Sequence, residues 1–453
     1  MNPEFKRNLW LEISPARLAL MPGVLTLIAL LAVAMSEHNP RDNLFIACTV
    51  LFTGLTVGWG SLLVMSSINS EVTERTWDQQ RLSALTPWQM AWGKLFGSTA
   101  YVWYGALLCA VVAVLAASSL PGFLSRCAWL LTGATGAVAL HAWLMASRLH
   151  TLDLRSEKSS STAARLFGVF LALQTLPMLF MLLSNPTEDT SATGGWWSLG
   201  LPLPVQSLVL AAFMLALGLL ALWRSMGKQL MVRSTPWAWA FGVLALGWML
   251  AGFMPEDARD ANLMVPLAGV ALLATYAALF TESNNRLVWQ AVLFHHMHSP
   301  RRRMLQALPL WPVSWAMAAL FVLLYGVLGI NPDQHLASLG SVMWLALLHC
   351  LRDCGIYHFF ALRNTTRKPA GMTLLTLFVL GVVLPGLVAS TAPELATWFE
   401  PLFGLQEMVK GGGSLGLAPW VAMAVQLAVV AALVAWRWAG GVKPAQASQR
   451  GSE

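Results

Sequence analysis

Apolar stretches of about 20 residues recur along this chain, and they constrain its fold more than any other feature. The first begins near Leu18, and short polar loops separate each stretch from the next. A helix needs about 20 mostly apolar residues to cross the hydrocarbon core of a bilayer. Hydrophobic residues make up 57% of the chain and charged residues only 11%, which is too little charge for a water-soluble domain. The sequence therefore predicts an all-α polytopic membrane protein.

The lengths of the apolar stretches predict about twelve transmembrane helices in two sets of six. The first set lies within residues 1–230 and comprises 18–35, 43–66, 95–117, 123–146, 166–183 and 205–223. The second lies within residues 231–453 and comprises 237–254, 263–280, 314–330, 339–360, 372–390 and 420–438. These two halves are the predicted domains, and the first also includes a predicted N-terminal interfacial helix within residues 2–14.

The positive charges predict the orientation. With the N-terminus inside, 24 of the 28 Lys and Arg residues fall on the cytoplasmic side, which leaves outside only Arg41, Arg126, Arg259 and Lys410. Cytoplasmic loops of membrane proteins carry an excess of Lys and Arg. We therefore expect an even number of spans, with both termini cytoplasmic. The membrane is expected to be a bacterial inner membrane. Topology and anionic membrane lipids account for the net charge of +7, so no nucleic-acid partner is expected.

The two halves also resemble each other. Residues 84–92 align with 307–315 without a gap, and further on His141 aligns with His349. Because each predicted half has an even number of helices, a duplication would produce parallel repeats related by an axis along the membrane normal, with a substrate path between them. Chance similarity between tryptophan-rich membrane interfaces is the alternative.

The loop between the second and third predicted spans is too polar to cross the membrane. Glu71, Glu74, Arg75 and Asp78 are spaced three or four apart, as on one side of a helix. An apolar edge continues through Leu82 and Leu85 until Thr86-Pro87. The pattern predicts a short amphipathic cytoplasmic helix that ends at Thr86-Pro87. A helix that only lies on the inner leaflet, held by tryptophans such as Trp77, is the alternative.

At this loop the sequence resembles the permease subunits of ABC-2-type transporters. Their first cytoplasmic loop has a Glu-rich segment, an Arg, a Leu-x-x-Leu stretch, a Thr-Pro or Ser-Pro turn and then Gly-Lys. The residues that match, in order, are Glu71, Glu74, Arg75, Leu82, Leu85, Thr86, Pro87, Gly93 and Lys94. Where the family usually has Gly-Thr after the Arg, this chain has Thr76-Trp77.

The resemblance implies that the loop, including Trp77, is a coupling helix that docks in a groove of a separate ATP-binding subunit. The chain has no Gly-x-x-x-x-Gly-Lys-Ser/Thr loop for nucleotide phosphates, so we expect ATP and Mg²⁺ on the partner and no catalytic residue, cofactor or metal here. With both halves in one chain, two copies of the ATP-binding subunit are expected per copy of this protein.

The second half has an equivalent loop, which is more basic and lacks the Gly-Lys ending. Its predicted docking residues are Glu282, Arg286, Arg301, Arg302, Arg303, Leu308 and Pro309. The neighbouring cluster His295-His296-Met297-His298 has no nearby Cys or carboxylate, so we assign it to the docking surface rather than to a metal site. The difference between the two loops predicts that the two sides of the transporter are not equivalent.

Arg352 and Asp353 form a candidate functional pair within the tenth predicted span. Ionisable residues inside a span are costly and frequently functional. An adjacent pair near a helix end can also extend to the headgroups or bond to neighbouring helices. The loops 184–204 and 391–419 are candidates for small gate helices or for aromatic anchoring at the membrane surface.

Other functions remain alternatives to ATP-driven export. A secondary transporter would need acids within its spans, and Asp353 is almost alone there. A membrane enzyme would need a convergent cluster of polar residues, which the sequence does not suggest. A mechanotransmission complex that acts on an extracytoplasmic accessory protein is a further alternative. Because the spans have few polar groups, we expect an amphipathic or lipidic substrate.

Overall fold

The computed structural model describes most of the chain, namely residues 2–36, 39–82, 85–151, 196–232, 234–254, 262–282, 284–328, 334–362, 369–392 and 416–440, with residues 256, 259 and 398. Throughout these residues the regular structure is helical. The chain divides into two compact units, Met1–Arg233 and Ser234–Glu453. Their boundary lies close to residue 230, where the two predicted halves meet.

Unit 1 contains eight described α-helices. They are α1 (Pro3–Glu12), α2 (Pro15–Ala34), α3 (Pro40–Thr73), α4 (Thr76–Arg81), α5 (Pro87–Gly97), α6 (Ala100–Ala117), α7 (Phe123–Thr151) and α8 (Leu203–Gln229). A short 3₁₀ turn, Trp196–Ser198, precedes α8.

Unit 2 also contains eight described α-helices. They are α9 (Trp237–Ala251), α10 (Met264–Thr281), α11 (Arg286–His298), α12 (Arg301–Ala307), α13 (Leu310–Leu328), α14 (Gln334–Ala361), α15 (Pro369–Thr391) and α16 (Leu417–Gly440).

Within the described residues, ten helices are long and apolar enough to cross a membrane, five in each unit. They are α2, α3, α6, α7 and α8, and α10, α13, α14, α15 and α16. The predicted span at 166–183 lies outside the described residues, and the one at 237–254 is the 15-residue helix α9, which is short for a span. The chain is thus a polytopic α-helical membrane protein. Its arrangement as two six-helix repeats stays a prediction.

Four helices of unit 1 begin in the same way, with a polar capping residue followed by proline. The pairs are Asn2-Pro3, Ser14-Pro15, Asn39-Pro40 and Thr86-Pro87. In each pair the side-chain oxygen accepts a hydrogen bond from a backbone N–H of the first turn, and proline occupies a position whose N–H needs no partner. These signals set where the helices begin.

The core beneath the predicted coupling loop lies between α3, α5, α7 and α8. Its fully buried side chains include Ile68, Met90, Met145, Leu149 and Met226. The loop therefore rests on tightly packed helices rather than on open lipid.

The middle of α3 widens into a π-helical stretch, Gly54–Gly60. There a ring nitrogen of His141, on α7, lies 2.9 Å from the carbonyl oxygen of Thr56. A Cβ at Gly60 would lie 2.7 Å from the same ring nitrogen, so glycine permits this close approach of α7 to α3. Such π-helical segments often occur at functional positions.

Candidate functional site

The predicted coupling loop of unit 1 folds as a bent segment, which we call the elbow (residues 71–87, of which 83 and 84 lie outside the described residues). Helix α3 ends at Thr73, and Arg75 adopts a left-handed backbone conformation with φ of 60°. The short helix α4 follows, and α5 begins at Pro87. The expectation of one amphipathic helix is therefore wrong, because a left-handed residue interrupts it.

Thr86-Pro87 was expected to end a helix, and instead it begins one. The Thr86 hydroxyl accepts a hydrogen bond from the backbone N–H of Gln89 at 3.3 Å, and the Gln89 side chain accepts one from the backbone N–H of Thr86 at 3.0 Å. This reciprocal capping box is a start signal for a helix. It sets the direction in which the chain leaves the elbow for the membrane.

The inner face of the elbow is built around a buried ion pair. The Glu71 carboxylate accepts a hydrogen bond from Lys94 Nζ, although 23 residues separate the two along the chain. The Lys94 side chain is 2% exposed and its Nζ lies 5.3 Å from the centre of the Trp77 ring. Trp77 is itself buried. Two residues of the family-like pattern, Glu71 and Lys94, are thus joined in space. Trp77, at which the chain departs from that pattern, packs on Lys94.

The N-terminal helix completes this ion pair and makes it a four-residue cluster. Glu4 lies 3.0 Å from Lys94 Nζ and 3.1 Å from the guanidinium of Arg7, which also bonds to Glu71. We call Glu4, Arg7, Glu71 and Lys94 the charge cluster. Two acids balance two bases, so the cluster is neutral overall. Removing one partner of a buried pair typically costs about 3–5 kcal/mol.

Helix α1 reaches the cluster because two glycines of α5 leave room for it. A Cβ at Gly93 would lie 2.7 Å from Glu4 Cβ, and one at Gly97 would lie 2.6 Å from Asn8 Cβ. Glycines four residues apart lie on one face of a helix, which allows another helix to approach closely. The Gly-Lys of the resemblance therefore has two separate uses, close packing at Gly93 and charge pairing at Lys94.

Further hydrogen bonds hold the elbow to α8. Arg81 Nε donates to the carbonyl oxygen of Gln229 at 2.8 Å, and the Gln229 side chain donates to the carbonyl oxygen of Leu149 at 2.8 Å. The elbow is thus bonded directly to α1, α5 and α8, and through Gln229 to α7. A displacement of the elbow has to move these helices or break their contacts.

The outer face of the elbow is open and carries both signs of charge. Glu74, Arg75 and Asp78 are exposed, and Leu82 is 88% exposed. Of the other predicted docking residues, Thr86 is exposed, Pro87 and Leu85 are half-buried, and Glu71 and Trp77 are buried. The predicted set therefore divides into an anchoring group and an outward-facing group.

In unit 2 most of the predicted docking residues are buried or half-buried, or are bonded to other residues of the same unit. A Glu282 oxygen accepts a hydrogen bond from the backbone N–H of Leu310 at 2.8 Å, which caps the first turn of α13. Arg286 is buried and donates to the carbonyl oxygen of Trp438 at 2.8 Å. Pro309 is buried and Leu308 is half-buried. The exposed residues of this predicted docking set are Arg301, Arg302 and Arg303.

Arg352 and Asp353 lie on α14 in a separate polar cluster of unit 2. Arg352 Nε donates to Asp353 at 3.0 Å, and Tyr276 Oη on α10 donates to Asp353 at 2.7 Å. Arg352 Nη1 donates to Gln426 on α16 at 2.8 Å. The pair thus connects three membrane-crossing helices and does not extend alone toward the headgroups.

Sequence reasoning missed Glu4, Arg7, Tyr276 and Gln426. Two signals pointed to the first pair, the spacing of Glu4, Arg7 and Asn8 on one side of α1 and the Gly-x-x-x-Gly spacing of Gly93 and Gly97. No local pattern pointed to Tyr276 or Gln426, because their partners lie 77 and 74 residues away.

In the part of the chain that the structure describes, no group of three or more His, Cys, Asp or Glu could hold a metal ion. The candidate site consists of an inner face that is bonded to neighbouring helices and an open outer face. No protein-family model, curated protein or solved structure matches this chain.

Proposed function

We propose that this chain is the membrane-spanning permease subunit of an ATP-binding-cassette exporter of the ABC-2 type. ATP and Mg²⁺ bind to a separate subunit, which docks on the elbow and drives an amphipathic or lipidic substrate across a bacterial inner membrane. In this proposal residues 1–230 and 231–453 are parallel six-helix halves. The chain itself has no ATPase site.

The observation that carries the proposal is the two-sided construction of the elbow. A coupling element needs one face that a partner can grip and another that is attached to the spans. Glu74, Arg75 and Leu82 offer the first face, and the bonds of Glu71 to Lys94 and Arg7 offer the second. The residues that resemble the ABC-2 pattern are found on both faces.

This construction supports a simple mechanical role. A partner can shift the membrane helices only if its contacts differ between two states. Because Glu71 lies in α3 and Lys94 in α5, a movement imposed on Leu82 reaches both helices through the charge cluster. The π-helical stretch Gly54–Gly60 lies earlier in α3 than Glu71, and at this stretch the helix could change its bend.

The test is a charge reversal on the outer face, Glu74→Arg, in the chain purified with its ATP-binding subunit. We expect retention of that subunit, or substrate-stimulated ATP hydrolysis, to fall while insertion and thermal stability are unchanged. A well-placed interfacial charge contributes about 2–5 kcal/mol when desolvated and much less at a rim. The matched control is Lys6→Glu, an exposed charge on α1 outside the elbow.

Mass measurement of the same complex provides a second test, with one copy of this chain to two ATP-binding subunits as the expected ratio. Normal assembly and transport in Glu74→Arg would remove the elbow from the mechanism. Two copies of this chain with two ATP-binding subunits would contradict the fused arrangement of halves.

An ion-coupled secondary transporter is the second candidate, because Asp353 is a carboxylate within a membrane-crossing helix. Its bonds to Arg352 and Tyr276 favour a structural role over a site that releases protons. Transport assays in vesicles separate the two functions. ATP-driven export requires ATP and continues after the ion gradients collapse. Ion-coupled transport requires an ion gradient and no ATP.

A further inference from the structure

Two consecutive helices of unit 2 expose apolar and cationic side chains together. They are α11 and α12, and we call them the basic hairpin (residues 286–307). No acidic residue occurs between Glu282 and Asp333. The basic side chains of the hairpin are Arg286, His295, His296, His298, Arg301, Arg302 and Arg303. The hairpin therefore differs from the elbow, whose exposed face mixes acids with Arg75.

The apolar side chains of the hairpin form an uncovered face. Leu287 is 73% exposed, Phe294 58% and Met297 74%. At 100° per residue these three positions lie within about 80° of one another around α11. Since large exposed apolar patches usually mark an interaction site, we expect this face to be covered by a binding partner or by lipid.

The remaining side of α11 is already packed against its own unit. The Trp289 ring lies 6.1 Å from that of Trp311 and 5.6 Å from that of His358, and Val292 is buried. These contacts hold the hairpin against the ends of α13 and α14. The hairpin is thus firmly attached to unit 2, and its exposed apolar face does not result from a loosely packed loop.

The position of the hairpin indicates what covers that face. Helix α10 ends at Thr281, a few residues before the hairpin, and α13 begins at Leu310, a few residues after it. Both helices are long and apolar enough to cross the membrane. Both ends of the hairpin are therefore at the membrane surface, whichever side of the bilayer that is.

We propose that the basic hairpin binds anionic phospholipids. Leu287, Phe294 and Met297 enter the boundary between headgroups and acyl chains, and the three arginines of α12 bind lipid phosphates. Helices with an apolar face beside cationic residues bind membranes in this way, and arginine suits phosphate through its several donors. The inference stands independently of the proposed export function.

A groove on an ATP-binding subunit is the competing occupant, since the sequence predicts docking by the same arginines. The absence of acidic residues between Glu282 and Asp333 and the two adjoining spans favour lipid. If lipid occupies the hairpin, the second ATP-binding subunit contacts unit 2 elsewhere.

The test places a fluorescent bimane label at residue 297 (Met297→Cys) in the full-length protein without any partner. Cys127 is replaced by alanine, because the other four native cysteines are buried. The protein is reconstituted into phosphatidylcholine nanodiscs that contain increasing fractions of brominated phosphatidylglycerol, or of brominated phosphatidylcholine. The matched control is the label at exposed His296 (His296→Cys), about 100° around the same helix.

We expect the label at 297 to be quenched more than the label at 296, and at lower fractions of the brominated anionic lipid than of the neutral one. An arginine near an anionic surface contributes about 1 kcal/mol, so Arg302→Gln should raise the half-quenching fraction about fivefold. The triple change of Arg301, Arg302 and Arg303 to Gln should abolish the preference for the anionic lipid.

Two results would overturn the inference. Equal quenching by both brominated lipids would show apolar contact without recognition of the anionic headgroup. A label that brominated lipid does not quench, and that becomes shielded from aqueous iodide only when an ATP-binding subunit is added, would assign the hairpin to protein docking instead.

Discussion

Lys94 Nζ, on α5, lies 3.0 Å from a carboxylate oxygen of Glu4, on the N-terminal helix α1. The first two membrane-crossing helices, α2 and α3, lie between these two helices along the sequence. The same ammonium group bonds to Glu71, so one buried cation connects the N-terminal helix to the end of α3. Each partner needs the others, because an unpaired charge in this environment would lose its hydration without compensation. The N-terminal helix is therefore part of the elbow's support.

Lys94→Met should destabilise the protein by about 3–5 kcal/mol, since it leaves two carboxylates with the half-exposed Arg7 alone. Glu71→Gln should cost less, because Lys94 keeps Glu4 as a partner. The measurement is reversible unfolding in mixed detergent micelles. Arg17→Gln is the control, since Arg17 is 51% exposed and its pair with Glu12 should contribute less than about 1 kcal/mol. Equal effects at Lys94 and Arg17 would contradict the buried cluster.

Gly93→Ala should loosen α1, because the new Cβ would lie 2.7 Å from Glu4 Cβ and 2.9 Å from the backbone nitrogen of Phe5. Overpacking of this kind typically costs about 1–3 kcal/mol. We expect trypsin to cleave after Lys6 or Arg7 several times faster than in the unchanged protein. Gly136→Ala is the matched control, since its Cβ would meet nothing within 4 Å and alanine favours the helix. Similar cleavage rates in both variants would exclude the close approach of α1 and α5.

Asp353→Asn should destabilise unit 2, because it removes the carboxylate that is ion-paired with Arg352 within a membrane-crossing helix. Tyr276→Phe removes a single hydrogen bond and should cost about 1 kcal/mol. A structural role predicts that the double change Arg352→Gln with Asp353→Asn recovers most of the lost stability together with transport. Recovery of stability without transport would instead assign the pair a direct part in the transport cycle.

The orientation can be tested with cysteines introduced outside the described residues. An impermeant thiol reagent added to intact cells should label positions 188, 257 and 407, and should not reach 159 or 446. The expectation follows from the distribution of Lys and Arg between the two sides. Labelling at 159 from outside would reverse the predicted topology.

The membrane-spanning helices could be predicted because their cause is local. A run of about 20 apolar residues can satisfy its backbone hydrogen bonds in lipid only as a helix, whatever the rest of the chain does. The helix starts at Pro3, Pro15, Pro40 and Pro87 are equally local, since each depends on a capping residue and a proline next to it. Thr86-Pro87 begins a helix rather than ending one because Thr86 forms a capping box with Gln89, which is also a local signal.

The candidate site is different, because tertiary packing decided which charges are buried. Along the sequence Glu71 and Glu74 look alike, yet Glu71 is bonded to Lys94 and Arg7, 23 and 64 residues away, while Glu74 is exposed. The approach of α1 to Gly93 and Gly97 brings Arg7 to Glu71, and the packing of α5 against α3 brings Lys94 there. The sequence by itself determined the helices and their apolar lengths. The division of the elbow into an anchored face and an open face depended on contacts between distant helices, which no local pattern encodes.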